Sequence, residues 1–186
     1  LASGCLVFFS SWFQNFANAV WPPAGVGLGA ALLWGYAALP GIYLADFALH
    51  YQEFSQTDTL VEKIVYLFLP LTSVAHAWLG SILVKRLADY PNELVSLRSI
   101  LLFFLLSGPV AAALSSFLRI SALHYSGNIT ESSIGFHFLS LVLSQSTGVA
   151  IFTPLFFSVF AKSHRIWRQR LFSLGFPVTI MFLLIT

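Results

Sequence analysis

The sequence predicts an all-α, polytopic bundle of transmembrane helices, and three observations predict it. Apolar residues make up 58% of the 186 and charged residues 9%, against about 25% charged in an ordinary soluble domain. Nine basic and seven acidic side chains are too few to coat a soluble fold of this size, and a lipid surround removes the need for that coat. Runs long enough to cross about 30 Å of hydrocarbon recur along the chain, and the loops between them alternate in charge.

About six spans follow from those runs. The first covers residues 1–20, the second 25–49, the third 60–84, the fourth 100–123, the fifth 134–160, and a sixth begins at 171. The chain opens without a methionine and stops inside an apolar run, so a fragment cut at both ends is expected. Residues 1–9 lack the basic stretch and small-residue cleavage site of a signal peptide, and read as the remainder of a helix. With no internal repeat and no low-complexity linker, residues 1–186 form a single integral-membrane domain.

The second segment admits two forms. Its 25 residues reach about 37 Å, enough for one tilted span. Pro40, however, removes a backbone donor and pushes Leu39 away from helical geometry, with Gly35 and Gly41 as flexible joints. Two half-helices broken at Pro40 are the favoured form, and such a break needs protein or a polar cavity around it.

The charges orient the bundle. Lys85, Arg86 and Arg98 flank one loop, and Lys162, Arg165, Arg168 and Arg170 fill another two spans later. The intervening loops carry Glu53, Asp58, Glu62 and Glu131, with Lys63 as their one basic residue. The loops near 85–98 and 162–170 are therefore expected on the cytoplasmic side. A net charge of +2 gives no footprint for nucleic acid. The single cysteine, Cys5, excludes an internal disulfide and a cysteine metal cluster.

Three places carry local chemistry. At Trp21-Pro22-Pro23-Ala24-Gly25 two prolines precede a helix, Pro23 fits its first turn, and Gly25 with Gly29 lets a second helix approach closely. Trp21 fits an interfacial ring, and a packing corner is the simpler reading of the motif. The third span presents Thr72, Ser73, His76 and Gly80 on one face. The fifth presents His137, Ser140, Ser144, Thr147 and Gly148, with Gln145 beside them. In the fourth, Ser107, Ala111, Ser115 and Gly108, Ala112, Ser116 make two small stripes, with Pro109 as a kink. Such residues usually cement membrane helices.

Asp46, His76 and Arg119 stand apart, because ionisable groups in a span are costly and seldom idle. Asp46 and Arg119 are expected to pair. His76 is the best single candidate for touching a ligand or proton, against an equal case for a satisfied core histidine. Walker, zinc-protease, nucleophile-elbow and Cys-x-x-Cys motifs are missing, so no catalytic residue, cofactor or metal is expected.

Trp21 to Leu28, then Leu33-Trp34-Gly35 and Leu39-Pro40-Gly41-Ile42-Tyr43-Leu44, together with Gly148 to Leu155, resemble the MASE1 family of bacterial membrane-associated sensor domains. The resemblance covers residues 21–160. Trp21, Pro22, Pro23, Gly25, Gly35, Pro40, Gly148, Thr153 and Pro154 match its motif positions; the family often has an acidic residue where this chain has Gln145. The resemblance implies a multi-pass module of the bacterial inner membrane ahead of a histidine kinase, as in two-component systems, or of a cyclic-di-GMP enzyme. It also implies a homodimer formed through the parent chain. Such a module would bind a small molecule or a membrane-protein partner and relay a change in helix packing. Trp34, Asp46, His76, Arg119, Gln145 and Thr147 join the motif residues as ligand-binding or signalling candidates. A transporter or substrate-capture subunit is the alternative, since broken spans with polar linings build transport sites; a purely structural subunit is the third reading.

Overall fold

The structure, a computed structural model, describes residues 20–87 and 97–160. The sixth expected span, all but the last residue of the first, Cys5 and the basic stretch 162–170 lie outside the described residues. Within them every regular element is helical: α1 (Pro22–Trp34), a 3₁₀ turn (Gly35–Ala38), α2 (Leu39–Leu49), α3 (Tyr51–Gln56) and α4 (Leu60–Leu87). Then follow α5 (Leu97–Leu105), a π-helical segment (Leu106–Val110), α6 (Ala111–Tyr125), a 3₁₀ turn (Glu131–Ser133) and α7 (Ile134–Phe160).

Four helical segments are long and apolar enough to cross a membrane: Pro22–Leu49, Leu60–Leu87, Arg98–Tyr125 and Glu131–Phe160. The last three match the expected third, fourth and fifth spans to within three residues at each end. The first behaves differently. A straight helix would hold Trp21 and His50 about 43 Å apart, yet their rings are stacked with centroids 6.5 Å apart. A Cβ built on Gly27 of α1 would lie 3.6 Å from Ile42 of α2. The segment doubles back as a helical hairpin.

The turn is local chemistry. Gly35 has φ +64°, a conformation glycine adopts without a Cβ penalty. Its N–H returns to the Ala31 carbonyl and closes α1. Lys85 Nζ donates to the same carbonyl at 3.4 Å, a cation at the negative end of a helix. Pro40 lies in the first turn of α2, where a missing donor costs nothing. The segment is therefore broken as favoured, but the break falls at Gly35 and not at Pro40.

Helix α1 wedges between α7 and α4, and Leu28, Leu32, Val84, Phe103 and Val149 are buried around it. It runs along the second half of α7 at very close range. A Cβ on Gly148 would collide with the Trp21 carbonyl, and one on Gly25 with the Gly148 carbonyl. Trp21 N–H donates to the Ser144 carbonyl at 3.0 Å. Ser144 lies ten residues into α7, about 15 Å along it. Trp21 is thus a packing corner within the bundle.

The kink expected at Pro109 takes the form of the π-helical segment. Both small stripes of the fourth span are buried there and in α6.

Candidate functional site

The start of α1, the ends of α2, and the middles of α4, α6 and α7 converge on a buried polar cluster. Asp46, near the end of α2, accepts a hydrogen bond from Ser73 Oγ of α4 at 3.1 Å. Arg119 Nη2 of α6 lies 3.6 Å from Asp46 Oδ2, with both side chains under a tenth exposed. The same Nη2 contacts His50 Nε2. A guanidinium can only donate, so that nitrogen of His50 is the acceptor and the ring is neutral there. Among the described residues, Asp46 Oδ2 takes no hydrogen bond. His50, at the joint of α2 and α3, stacks on Trp21.

One turn along α4 from Ser73 a second polar contact forms. His76 Nε2 lies 3.0 Å from the Ser107 carbonyl oxygen. A carbonyl only accepts, so Nε2 carries the proton. The π segment prepares this acceptor. In an α-helix Ala111 N–H would bond to Ser107; here it bonds to Leu106 and Gly108. Irregular turns of this kind are frequent at functional sites.

Between the two contacts lies a cavity of about 10 Å³, lined by Trp21, Ser73, His76 and Gln145 together with apolar residues, the size of one water molecule. Gln145 Oε1 accepts from Ser115 Oγ at 2.9 Å, and its amide nitrogen donates to Ser116 Oγ at 3.5 Å. Buried charges are weak stabilisers once desolvation is counted. Their concentration at one level of the bundle therefore makes this cluster the candidate site.

The structure brings together Trp21, Asp46, His76, Arg119 and Gln145 from the sequence candidates, and forms the expected Asp46–Arg119 pair. Pro22 and Pro23 start α1, with Pro23 on the cavity wall. Gly25, Gly148 and Thr153 serve helix contact, and Thr153 Oγ1 donates to the Gly25 carbonyl at 3.0 Å. Trp34 sits at the far end of the hairpin, edge-on to Phe156 and Phe160. Pro40 and Pro154 are exposed.

Thr147 bonds within its own helix, to Leu143. The polar face expected on α7 is rotated: Ser144, Gln145, Gly148, Val149 and Thr153 are buried, while His137 is exposed. His50 was not among the sequence candidates. Its signal was the four-residue spacing from Asp46, which puts both on one helical face. Among the described residues no three His, Cys, Asp or Glu side chains gather as a metal site.

The MASE1 family model matches residues 1–186, the whole chain. The chain belongs to the MASE1 family. No curated protein and no solved structure matches it. MASE1 is a membrane-associated sensor domain, and the match spans every element that builds the polar cluster. These residues thus form a membrane-embedded sensor domain, and catalysis is not the work of a MASE1 domain.

Proposed function

We propose that this MASE1 domain is the signal-input module of a bacterial inner-membrane signalling protein, with the polar cluster as its switch and the hairpin as its lever. One observation carries the reading. The same hairpin holds Asp46 and His50 in the cluster at its base and packs Trp34 against Phe156 and Phe160, in the last turns of α7, at its tip. The output driven in this way would be a histidine kinase or a cyclic-di-GMP enzyme in a parent chain that dimerises. The loops near 85–98 and 162–170 are then cytoplasmic, which puts the hairpin tip, capped by Lys85, on the output side.

A ligand or membrane partner drives such a device only if it prefers one of two arrangements of the cluster, and a coupling of about 1–3 kcal/mol suffices. Trp34→Ala removes the tip contact and leaves the cluster untouched. In the full-length protein it is expected to hold the output at a fixed level under conditions that move the wild type, with unchanged expression. An output that still follows the signal with its normal range would remove the hairpin from the relay.

The hairpin also suits a transporter, because broken membrane helices with a polar lining form substrate sites. Uptake of a solute into proteoliposomes, lost in Asp46→Asn and independent of any output domain, would favour that reading.

A further inference from the structure

Arg119 has two partners and satisfies only one of them. Its Nη2 makes a hydrogen bond to His50 Nε2, while Asp46 Oδ2 lies 3.6 Å from the same nitrogen with no hydrogen bond from any described residue. An unpaired carboxylate oxygen inside a bundle is costly, so an arrangement that leaves it open beside a guanidinium is poised for rearrangement. The same Nη2 thus contacts His50 as a hydrogen-bond donor and faces Asp46 as an ion-pair partner.

We propose that His50 is a proton-binding site whose occupancy transfers Arg119 from His50 to Asp46. A hydronium ion of the aqueous phase gives its proton to Nε2, so one O–H bond breaks as the N–H bond forms and a water molecule is left. The nitrogen that accepted now carries a hydrogen, so the Arg119 contact is lost and two cations face each other. Arg119 then closes onto Asp46 Oδ2, whose acceptor position is open. The charged groups that face His50 are Asp46 from α2, Glu53 from α3 and Arg119 from α6. Burial and then Arg119 oppose the imidazolium and hold the His50 pKa below the ordinary histidine value, while both carboxylates favour it. This rests on the signalling reading only for its consequence: His50 stacks on Trp21, and Trp21 is tied to Ser144 of α7, so the exchange bears directly on the hairpin base.

The ligand is the proton itself. The 10 Å³ cavity is too small for any organic molecule, and histidine is the side chain whose charge changes near neutral pH. His50 is half-buried at the joint of two helices. His76 is a different case, since its Nε2 proton is already fixed on the Ser107 carbonyl.

The test uses the full-length protein in lipid nanodiscs, with tryptophan emission followed from about pH 7.5 to 4.5. The contribution of Trp21 is the difference between the wild type and Trp21→Phe. An imidazolium stacked on an indole quenches it, so the Trp21 emission is expected to be lost in a single step as pH falls. In His50→Gln, whose amide oxygen still accepts from Arg119, the step is expected to vanish. Nitrogen-15 histidine NMR provides a second measurement: the signal missing in His50→Gln should move from neutral imidazole to imidazolium at the same midpoint. A Trp21 step that persists in His50→Gln, or a His50 signal unchanged across the range, would overturn the proposal. Output activity read alongside separates the two ideas: a His50 step with an unmoved output keeps the proton site and removes its role in signalling.

Discussion

Replacing Arg119 with methionine is expected to destabilise the domain by about 3–5 kcal/mol, because it leaves the Asp46 carboxylate buried without its cation. Asp46 is 2% exposed, and among the described residues its Oδ2 has no hydrogen bond. Refolding from denaturing to native-like detergent mixtures measures this, as does the fraction of protein that survives extraction from membranes. The double variant Asp46→Asn with Arg119→Met removes both charges and is expected to recover most of the loss, since the cost lies in the unpaired charge. Charge reversal at both positions should likewise restore the signalling lost in either single reversal. A single Arg119→Met variant as stable as the wild type would show that the pair carries no structural weight.

The second large effect is steric. Gly148→Val is expected to expel α1 from its groove. Even a Cβ at this position would meet the Trp21 backbone carbonyl, which cannot swing aside as a side chain would. The Trp21–Ser144 and Thr153–Gly25 hydrogen bonds fix the same approach. Overpacking of a core costs about 1–3 kcal/mol when neighbours can adjust, and here the obstacle is backbone. Limited proteolysis at the hairpin in detergent should accelerate strongly for Gly148→Val. A glycine beside no neighbour provides the control: Gly135 has nothing within 4 Å of its built Cβ, and Gly135→Ala should cleave like the wild type.

The helical bundle was legible because its evidence is additive: every residue of a span contributes to the apolar run, and every loop charge to the alternation. The Asp46–Arg119 pair was legible for a related reason, since a charge in a span must find its opposite. The hairpin was not. Apolar length says nothing about direction, and 28 residues of α1, turn and α2 satisfy the same hydropathy whether straight or folded. Pro40 does not break the segment, because proline is harmless in a first helical turn. The reversal depends on the φ of Gly35, and one glycine among several in that segment carries no mark of its torsion. His50 carries no distinguishing mark in the sequence, because it lies at a helix joint, where a histidine is ordinary. Its importance comes from Trp21, 29 positions earlier, which only the fold brings alongside. The Ser107 carbonyl was invisible for a simpler reason: it is a backbone atom, freed by a π turn that Pro109 suggests but does not locate.

Everything proposed for the cluster depends on the chain doubling back between Trp21 and His50. Spin labels on cysteines at positions 20 and 52, in a chain cleared of other cysteines and reconstituted into bilayers, measure this directly by pulsed electron resonance. The hairpin predicts a short distribution, under about 25 Å, whereas a straight helix over the same 32 residues would reach about 48 Å. A distribution centred near the longer value would contradict the hairpin, and with it the meeting of Trp21, Asp46 and His50 in one site.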